Sequence, residues 1–440
     1  MTGHTRRGGL RTDLYELRMV ESYVGRDMTA PATFSLYIRP TPERPWFVAL
    51  GVHRVLELLA TFGYDADELD YLRSIGLRDD TLDWLSSYEF TGEVWAVDDG
   101  TVVLANEPIL EVTAGLPVAQ LIETAVINLV QFPTLIATKG ARVAAAAGGR
   151  PVVDFGFRRA HGLATGVEAS LAAHVGGGLS TSNLEAGRRY GLPVLGTMAH
   201  SFVQAFPTEV EAFRAYAKDH PDGTTLLVDT YDTVEGVRNA IVVAGELRSR
   251  GARLRGIRLD SGDLDELSRI ARRMLDDAGY PDVQILASGG LDEFTIAALV
   301  DGGAPIDAYG VGTDLVVSTD RPAVDIAYKL VEYDGRPVAK LSPGKETYPG
   351  AKQVFRSGSP SHDVLALRSE TLPGTPLLSP VWRHGDAPGD FDLAAARERA
   401  SAGVAELPED WTRPSYGSPT PVPGVSDALS ELSRKVRSYP

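Results

Sequence analysis

The sequence predicts an α/β protein with a central βα series and mixed α+β segments on either side of it. Between residues 150 and 315, short apolar runs alternate with segments of helical periodicity, which indicates a parallel sheet or barrel. Before residue 130 and after residue 320, short strands mix with helices instead. The 440 residues suffice for one large domain and one or two smaller ones.

Residues 1–130 are expected to form an N-terminal α+β domain. Its strand-like runs are "ATFSLYIRP", "GEVWAVDDG" and "TVVLANEPILEV". A helix is expected at "TDLYELRM", capped by Thr12 or Asp13, and periodicity alone predicts a core position for Tyr15. The long helical stretch "QLIETAVINLVQFPTLIATKGARVAAAAGG" follows, and we expect it to bend at Pro133.

Residues 131–320 are expected to form the α/β barrel domain. We interpret the apolar runs as buried strands: "PVVDF", "LPVLG", "TTLLVD", "LRGIRL", "VQILAS" and "IDAYGV". Segments such as "LDELSRIARRMLDDAGY" begin with acids and end at glycine, as helices do. Residues 321–440 are expected to add strands that pack with the N-terminal domain, with a hairpin at Asp334-Gly335, and then a tail.

Composition excludes several classes of function. With 43 basic and 59 acidic residues the net charge is −16, which argues against nucleic acid or an anionic membrane as the main partner. The absence of cysteine removes disulfides, thiolate nucleophiles and zinc–thiolate sites. We see no apolar run of about 18 residues, and the basic start has no apolar segment behind it. We therefore expect a cytoplasmic protein without a membrane span.

Polar segments follow the predicted strands at seven places. Because the carboxyl ends of parallel strands form the catalytic face of βα proteins, we expect one shared site there. The segments are "DFGFRRAHG", "STSN", "GTMAHS", "DTYDT", "RLDSGD", "SGG" and "GVGTD".

Two adjacent glycine-rich turns, "SGGLDEF" and "GVGTDLV", suggest a phosphate site. Glycine lets backbone N–H groups approach an anion, and a following helix start favours negative charge. Either turn alone is more simply a tight βα connection; as a consecutive pair they favour phosphate. No Walker A motif is present, so a P-loop is excluded.

The segment "RLDSGD" groups Arg258, Asp260 and Asp263. The two carboxylates could hold ribose hydroxyls or a hydrated Mg²⁺ that meets substrate phosphates. The alternative is Asp263 as a helix N-cap and Arg258 as a salt-bridge partner. Phe155 beside Arg158 suits a flat anionic ring, or else a core ring and a surface cation.

A lone histidine near the end of a strand, such as His200, is more often a hydrogen-bonded framework residue than a catalyst. Neutral imidazole can nevertheless act as a base or nucleophile near pH 7. No metal-ligand partner stands four residues on, so we predict no zinc site.

Taken in order, these segments resemble the nicotinate phosphoribosyltransferase family. The resemblance rests on "TDLYELRM", "QLIETAVINLVQFPTLIATKGAR", "DFGFRRAHG", "STSN", "GTMAHSFV", "VDTYDT", "RLDSGDL", "LASGGLDE", "DAYGVGTDLV" and "KLSPGKETYPGAKQVFR". It implies an irregular TIM-like α/β barrel of the type II phosphoribosyltransferase class. The implied reaction converts nicotinate, phosphoribosyl pyrophosphate and ATP into nicotinate mononucleotide, ADP, phosphate and pyrophosphate. A Mg²⁺ requirement, a place in NAD salvage and a homodimer with active sites at its interface are also implied.

The resemblance also implies roles for individual residues. His200 would be phosphorylated, and Asp260 would hold the ribose. The pyridine ring would lie between Phe155 and Tyr15 of the partner subunit, while Arg158 and Arg258 would meet phosphate or the pyridine carboxylate. The metal contact is expected at Asp263 from the carboxylates of "RLDSGD" rather than from the resemblance. The remaining substrate-binding residues would be Thr181, Ser182, Ser288, Gly289, Gly290, Gly310, Gly312 and Thr313.

Three alternatives remain open at this point. A nicotinamide or quinolinate phosphoribosyltransferase would share the fold but take another pyridine. A non-catalytic nucleotide-binding protein would bind without turnover, although the intact "GTMAHS" and "RLDSGD" argue against decay. A sugar-phosphate aldolase barrel would want a Schiff-base lysine, and none of the seven polar segments has one.

Overall fold

A computed structural model describes residues 8–383, 386, 389–414 and 420–438. The described residues divide into two compact units. We call them the α+β unit (residues 1–138, 323–411 and 416–440) and the barrel unit (residues 139–322 and 412–415). The first boundary between them falls within one long helix.

The helices are, in chain order, α1 (Leu14–Val24), α2 (Val52–Thr61), α3 (Ala66–Ser74), α4 (Asp79–Ser86), α5 (Leu116–Gln120), α6 (Glu123–Ala146), α7 (Leu163–Val175), α8 (Leu184–Tyr190), α9 (His200–Gln204), α10 (Glu209–Asp219), α11 (Thr233–Ser249), α12 (Leu264–Asp277), α13 (Glu293–Asp301), α14 (Thr313–Val316), α15 (Leu393–Ala405), α16 (Glu409–Thr412) and α17 (Asp427–Arg437). Two 3₁₀ turns span Phe157–Arg159 and Pro360–His362.

The strands are β1 (Pro31–Ile38), β2 (Phe47–Val48), β3 (Glu93–Ala96), β4 (Val102–Val103), β5 (Pro108–Gly115), β6 (Val152–Asp154), β7 (Ser180–Thr181), β8 (Thr225–Leu227), β9 (Gly256–Leu259), β10 (Gln284–Ser288), β11 (Ala308–Val311), β12 (Ile326–Tyr333), β13 (Arg336–Pro337), β14 (Lys352–Arg356), β15 (Val364–Leu367), β16 (Thr375–Pro376), β17 (Ser379–Trp382) and β18 (Gly424–Val425).

The α+β unit is built on an antiparallel sheet of six strands in the order β13-β12-β1-β5-β3-β17. Strand β1 is buried along seven of its eight residues because it lies between β12 and β5. Strands from the C-terminal part of the chain thus complete a sheet begun by the N-terminal part. A second sheet has the order β16-β14-β15-β18, and β2 pairs with β4.

The barrel unit contains a parallel sheet of six strands in the order β7-β6-β11-β10-β9-β8. Most of the strands are short and apolar, and helices follow most of them along the chain, as in βα folds whose parallel sheets are buried. A single parallel bridge between Thr181 and Val194 extends the order beyond β7. The fold is the mixed α/β architecture of an irregular barrel, as the sequence predicts.

Five of the six strands predicted for the barrel unit are confirmed, and the hairpin at Asp334-Gly335 has the two positive φ angles that such a turn requires. The strand predicted at "LPVLG" is wrong, since only the bridge at Val194 forms. Helix α6 continues through Pro133, and the interruption lies at residues 121–122 instead. Neither predicted cap of α1 bonds to the helix backbone.

The residues before α1 bond to side chains instead. The Thr12 hydroxyl donates to the Glu16 carboxylate, and Asp13 accepts from Thr124. Residues 116–146, which include α5 and α6, are long and apolar enough by composition to cross a bilayer. The most apolar window of that stretch is 61% buried within the protein, as the core helix of a soluble protein would also be.

Candidate active site

The carboxyl ends of the parallel strands meet at one edge of the sheet in the barrel unit. Asp154 pairs with Thr181 and with Val311, and Ser288 pairs with Gly310. A cavity of about 520 Å³ opens at this edge. It is lined by Phe155, Phe157, Arg158, Arg159, Ser182, Gly196, Thr197, Met198, Ala199, His200, Arg258, Asp260, Ser288, Gly289, Gly290, Leu291, Gly310, Gly312, Thr313 and Asp314.

Arg258, on β9, bonds to three polar side chains at this edge of the sheet. Its guanidinium donates to the Thr197 hydroxyl at 2.9 Å, to Ser288 Oγ at 2.9 Å and to Asp260 Oδ1 at 2.8 Å. The same group lies 5.5 Å from the centre of the Phe155 ring, in cation–π range. The side chain is only 13% exposed, so the charge is fixed in position rather than mobile.

Asp260 keeps its negative charge in this setting. Burial acts to raise the pKa of its carboxyl, but hydrogen bonds from Ser288 and Arg258 and the Arg258 charge outweigh burial, and the pKa is lowered. Oδ1 accepts from Ser288 Oγ at 2.5 Å and from Arg258. Oδ2 lies 3.8 Å from His200 Nε2. Asp260 therefore presents a carboxylate to whatever occupies the cavity.

His200 is the first residue of α9 rather than a residue that directly follows a strand. Each ring nitrogen has a polar neighbour: Nδ1 lies 3.2 Å from the Thr230 hydroxyl, and Nε2 is directed toward Asp260. The side chain is 41% exposed and lines the cavity. A partly accessible imidazole beside a carboxylate can accept a proton or a phosphoryl group.

Two glycines at the cavity have no room for a side chain. A Cβ on Gly310 would lie 2.5 Å from the Phe155 ring, so this ring packs against bare backbone. Gly289 has φ +91°, and a Cβ there would lie 1.9 Å from the Asp260 carbonyl oxygen. Both positions therefore require glycine: at Gly310 for the close packing of the Phe155 ring, and at Gly289 for the approach of the Asp260 backbone.

Two arginines lie at the cavity on the turn Phe157–Arg159. Arg158 and Arg159 are both exposed, and within the described part of the chain neither makes an ion pair. Unlike Arg258, they are available to a soluble anion, and guanidinium groups bind phosphate and carboxylate in bidentate geometry.

Three predicted site residues do not line the cavity. Thr181 is 2% exposed, and its hydroxyl donates to Asp154 Oδ2 at 2.7 Å, so it lies behind the cavity wall. Asp263 is the N-cap of α12 and accepts the Glu266 N–H at 3.0 Å, which is the alternative that the sequence left open. Tyr15 lies on α1 in the α+β unit with 48% of its surface exposed, so its predicted core position is wrong.

The remaining predicted residues all line the cavity: Phe155, Arg158, Ser182, His200, Arg258, Asp260, Ser288, Gly289, Gly290, Gly310, Gly312 and Thr313. Sequence reasoning missed eight lining residues. The quoted polar segments contain most of them, and Thr197 carries no charge that would have marked it as a site residue. The missed residues are Phe157, Arg159, Gly196, Thr197, Met198, Ala199, Leu291 and Asp314.

Comparison with known proteins bears on this site. Residues 10–131 match the family model described as the nicotinate phosphoribosyltransferase N-terminal domain, and residues 151–358 match that of the nicotinate phosphoribosyltransferase family. The chain is 48% identical over 411 residues to nicotinate phosphoribosyltransferase pncB2 of Mycobacterium tuberculosis, covering 92% of this chain and 86% of the relative. The chain belongs to the nicotinate phosphoribosyltransferase family.

Further relatives agree with this membership. The nicotinate phosphoribosyltransferase of Bacillus subtilis is 44% identical over 379 residues, 82% of this chain and 77% of the relative. The solved human nicotinic acid phosphoribosyltransferase superposes with a TM-score of 0.85 at 26% identity, covering 97% of this chain and 99% of that one. The protein is therefore a phosphoribosyltransferase enzyme whose family acts on nicotinate.

The acidic residues that line the cavity are few enough to suit Mg²⁺ bound together with substrate. Among the described residues, no group of three or more His, Asp and Glu side chains is arranged to hold a metal ion. Asp260 and Asp314 are the acidic residues that line the cavity. Because Mg²⁺ keeps several waters and is bound by one or two carboxylates plus substrate phosphates, this donor set fits an ion that arrives with a diphosphate.

Proposed function

We propose that the protein transfers the phosphoribosyl group from phosphoribosyl pyrophosphate to nicotinate, coupled to ATP through a phosphohistidine at His200. The products are nicotinate mononucleotide, pyrophosphate, ADP and phosphate, which serves NAD salvage. The observation that carries the proposal is the shared cavity: His200 Nε2 and the Asp260 carboxylate, 3.8 Å apart, line the same space as the glycine turns.

The transfer step needs charge at two positions. Loss of pyrophosphate builds positive charge at the ribose anomeric carbon, and the ionised Asp260 stabilises it. Arg158, which is exposed at the cavity, would neutralise the leaving group, and Mg²⁺, when bound with Asp260 and substrate phosphates, would supply the same neutralisation. The metal role of Asp263 stays a prediction, since its carboxylate caps α12.

The nicotinate ring is proposed to stack on Phe155, with its carboxylate near Arg258. The packing of the Phe155 ring against Gly310, which fixes the ring, and the fixed Arg258 guanidinium support this orientation. Alignment of the weakly nucleophilic pyridine nitrogen lowers the entropy cost of attack. The 5′-phosphate is assigned to the turns at Gly289, Gly290, Gly310, Gly312 and Thr313, with Ser182 on the wall and Thr181 supporting it from behind.

The proposed enzyme is a cytoplasmic homodimer in which Tyr15 of the partner subunit covers the other face of the ring. The exposed position of Tyr15 on α1 supports its availability to another copy of the chain.

Labelling with γ-phosphate ATP tests the proposal at His200. Wild type is expected to incorporate acid-labile phosphate, whereas His200→Ala incorporates none and loses ATP stimulation but keeps slow uncoupled transfer. The exposed His220, which ends α10 in the same unit, supplies the control His220→Ala, expected to label like wild type. Acid-labile label in His200→Ala would assign the phosphate to another residue.

A further inference from the structure

His200 has a second contact that points away from the cavity. Its Nδ1 lies 3.2 Å from the Thr230 hydroxyl, and Thr230 is not among the residues that line the cavity. The other ring nitrogen, Nε2, is turned toward Asp260, which does line it. The two nitrogens of the imidazole are therefore in different surroundings, and Nε2 is the one directed at a residue that lines the cavity.

Asp229, the residue before Thr230, holds the backbone at Asp260 in position. Asp229 Oδ2 accepts the backbone N–H of Asp260 at 3.0 Å and the Ser261 hydroxyl at 2.5 Å. Asp229 and Thr230 lie two and three residues after the end of β8, so one short segment contacts both members of the His200–Asp260 pair. His200 and Asp260 are 60 positions apart in the sequence, and the segment after β8 sets the distance between their side chains.

We propose that Thr230 is a positioning residue that selects the reactive tautomer of His200, an inference that rests on the proposed phosphohistidine. The Thr230 hydroxyl oxygen accepts the Nδ1–H, which leaves the lone pair on Nε2 in the cavity. Nε2 then forms a bond to the γ-phosphorus of ATP while the bond from that phosphorus to the β–γ bridging oxygen breaks, and ADP leaves with the electron pair. The Nδ1 proton stays on the ring, and Thr230 stabilises the positive charge that develops there.

Removing the Thr230 hydroxyl at constant volume tests this role. Thr230→Val leaves Nδ1–H without its acceptor and allows the tautomer that carries the proton on Nε2. We expect the rate of phosphate incorporation from ATP to fall roughly tenfold, the effect of losing one hydrogen bond to a charged group. The ATP-independent transfer and its KM for phosphoribosyl pyrophosphate should not change.

Two further variants separate positioning from a structural role. Thr230→Ser keeps the hydroxyl and should restore incorporation, and Thr233→Val makes the same change at the start of α11 and should behave as wild type. Wild-type incorporation in Thr230→Val, or loss of incorporation in Thr230→Ser equal to that in Thr230→Val, would overturn the inference.

Nitrogen-15 NMR of histidine-labelled protein reads the tautomer without ATP. Wild type should hold the proton of the His200 ring on Nδ1, and Thr230→Val should shift the population toward Nε2. Identical spectra would overturn the role of Thr230 whatever ATP does. A wild type that takes no phosphate from ATP but shows the tautomer shift would refute the proposed phosphohistidine and keep Thr230 as the residue that orients His200.

Discussion

At the scale of single residues, the site depends on side chains that hold one another. Arg258 donates to Thr197, Ser288 and Asp260, and Ser288 in turn donates to Asp260. The consequence is that the pKa of the Asp260 carboxyl is lowered although the side chain is partly buried. The charge that the proposed transfer step needs is therefore set by its neighbours.

The hydrogen bond from Ser288 provides a pH test of this arrangement. The pKa of Asp260 lies below its ordinary value of 3.8, so its ionised form is lost only as pH falls through that lower value. Ser288→Ala removes one cause of the lowering, and the pKa should rise. We expect the acid limb of the pH profile of kcat/KM to move to higher pH.

Ser261→Ala is the matched control, because Ser261 donates to Asp229 and not to the Asp260 carboxylate. The acid limb of this variant should remain where wild type has it. An unmoved acid limb in Ser288→Ala would mean that Ser288 does not control the ionisation that activity requires.

At the scale of elements, a buried ion cluster anchors α13, the helix that follows the glycine turn at Gly289. Glu293, the first residue of α13, is fully buried and pairs with Lys139 and with Arg142 Nε at 2.9 Å. Lys139 also contacts Asp320 at 2.8 Å. These bonds tie α6 to α13 within the barrel unit and so fix where the glycine turn ends and α13 begins.

Neutralising Glu293 should destabilise the protein strongly. In Glu293→Gln, two buried cations lose a shared carboxylate, which typically costs about 3–5 kcal/mol in the free energy of unfolding. Urea titration measures it. Glu266→Gln, an exposed acid in the first turn of α12, should change it by less than about 0.5 kcal/mol. Equal effects in the two variants would contradict the anchoring role.

The elements that the sequence predicted well are those whose signal is local. Apolar runs and helix starts predicted β6, β8, β9, β10 and β11 and helix α12, because burial pattern and caps depend on neighbouring residues. The run "LPVLG" has the same composition but forms one bridge, since strand pairing depends on what lies beside it.

The candidate site shows the same limit. The twelve cavity residues named in advance were found through charge, glycine and family resemblance. The contact between Thr230 and His200 could not be predicted, because residues 30 positions apart meet only through the fold. The capping bond of Asp263 was left open for the same reason: a carboxylate near a helix start can cap it or bind a ligand.

At the scale of the whole molecule, the chain divides into two units, and the cavity is lined by residues of the barrel unit. Tyr15 belongs to the α+β unit, where it is half exposed. The proposal that Tyr15 of the partner subunit completes the site makes activity a property of the dimer.

Mixed dimers test that claim. Tyr15→Ala and Asp260→Ala homodimers should both transfer poorly, since each site then lacks one residue. A mixed dimer isolated with two affinity tags should recover about half of wild-type activity, because a two-fold dimer then has one complete site. If the mixed dimer stays as inactive as its parents, then Tyr15 does not act across the interface.

The most direct measurement of the central claim is turnover with three pyridines side by side, each with phosphoribosyl pyrophosphate and with or without ATP. The account predicts that nicotinate is converted to nicotinate mononucleotide, that ATP increases the rate, and that nicotinamide and quinolinate are poor substrates. Preferred conversion of nicotinamide or quinolinate, or a nicotinate rate indifferent to ATP, would contradict it.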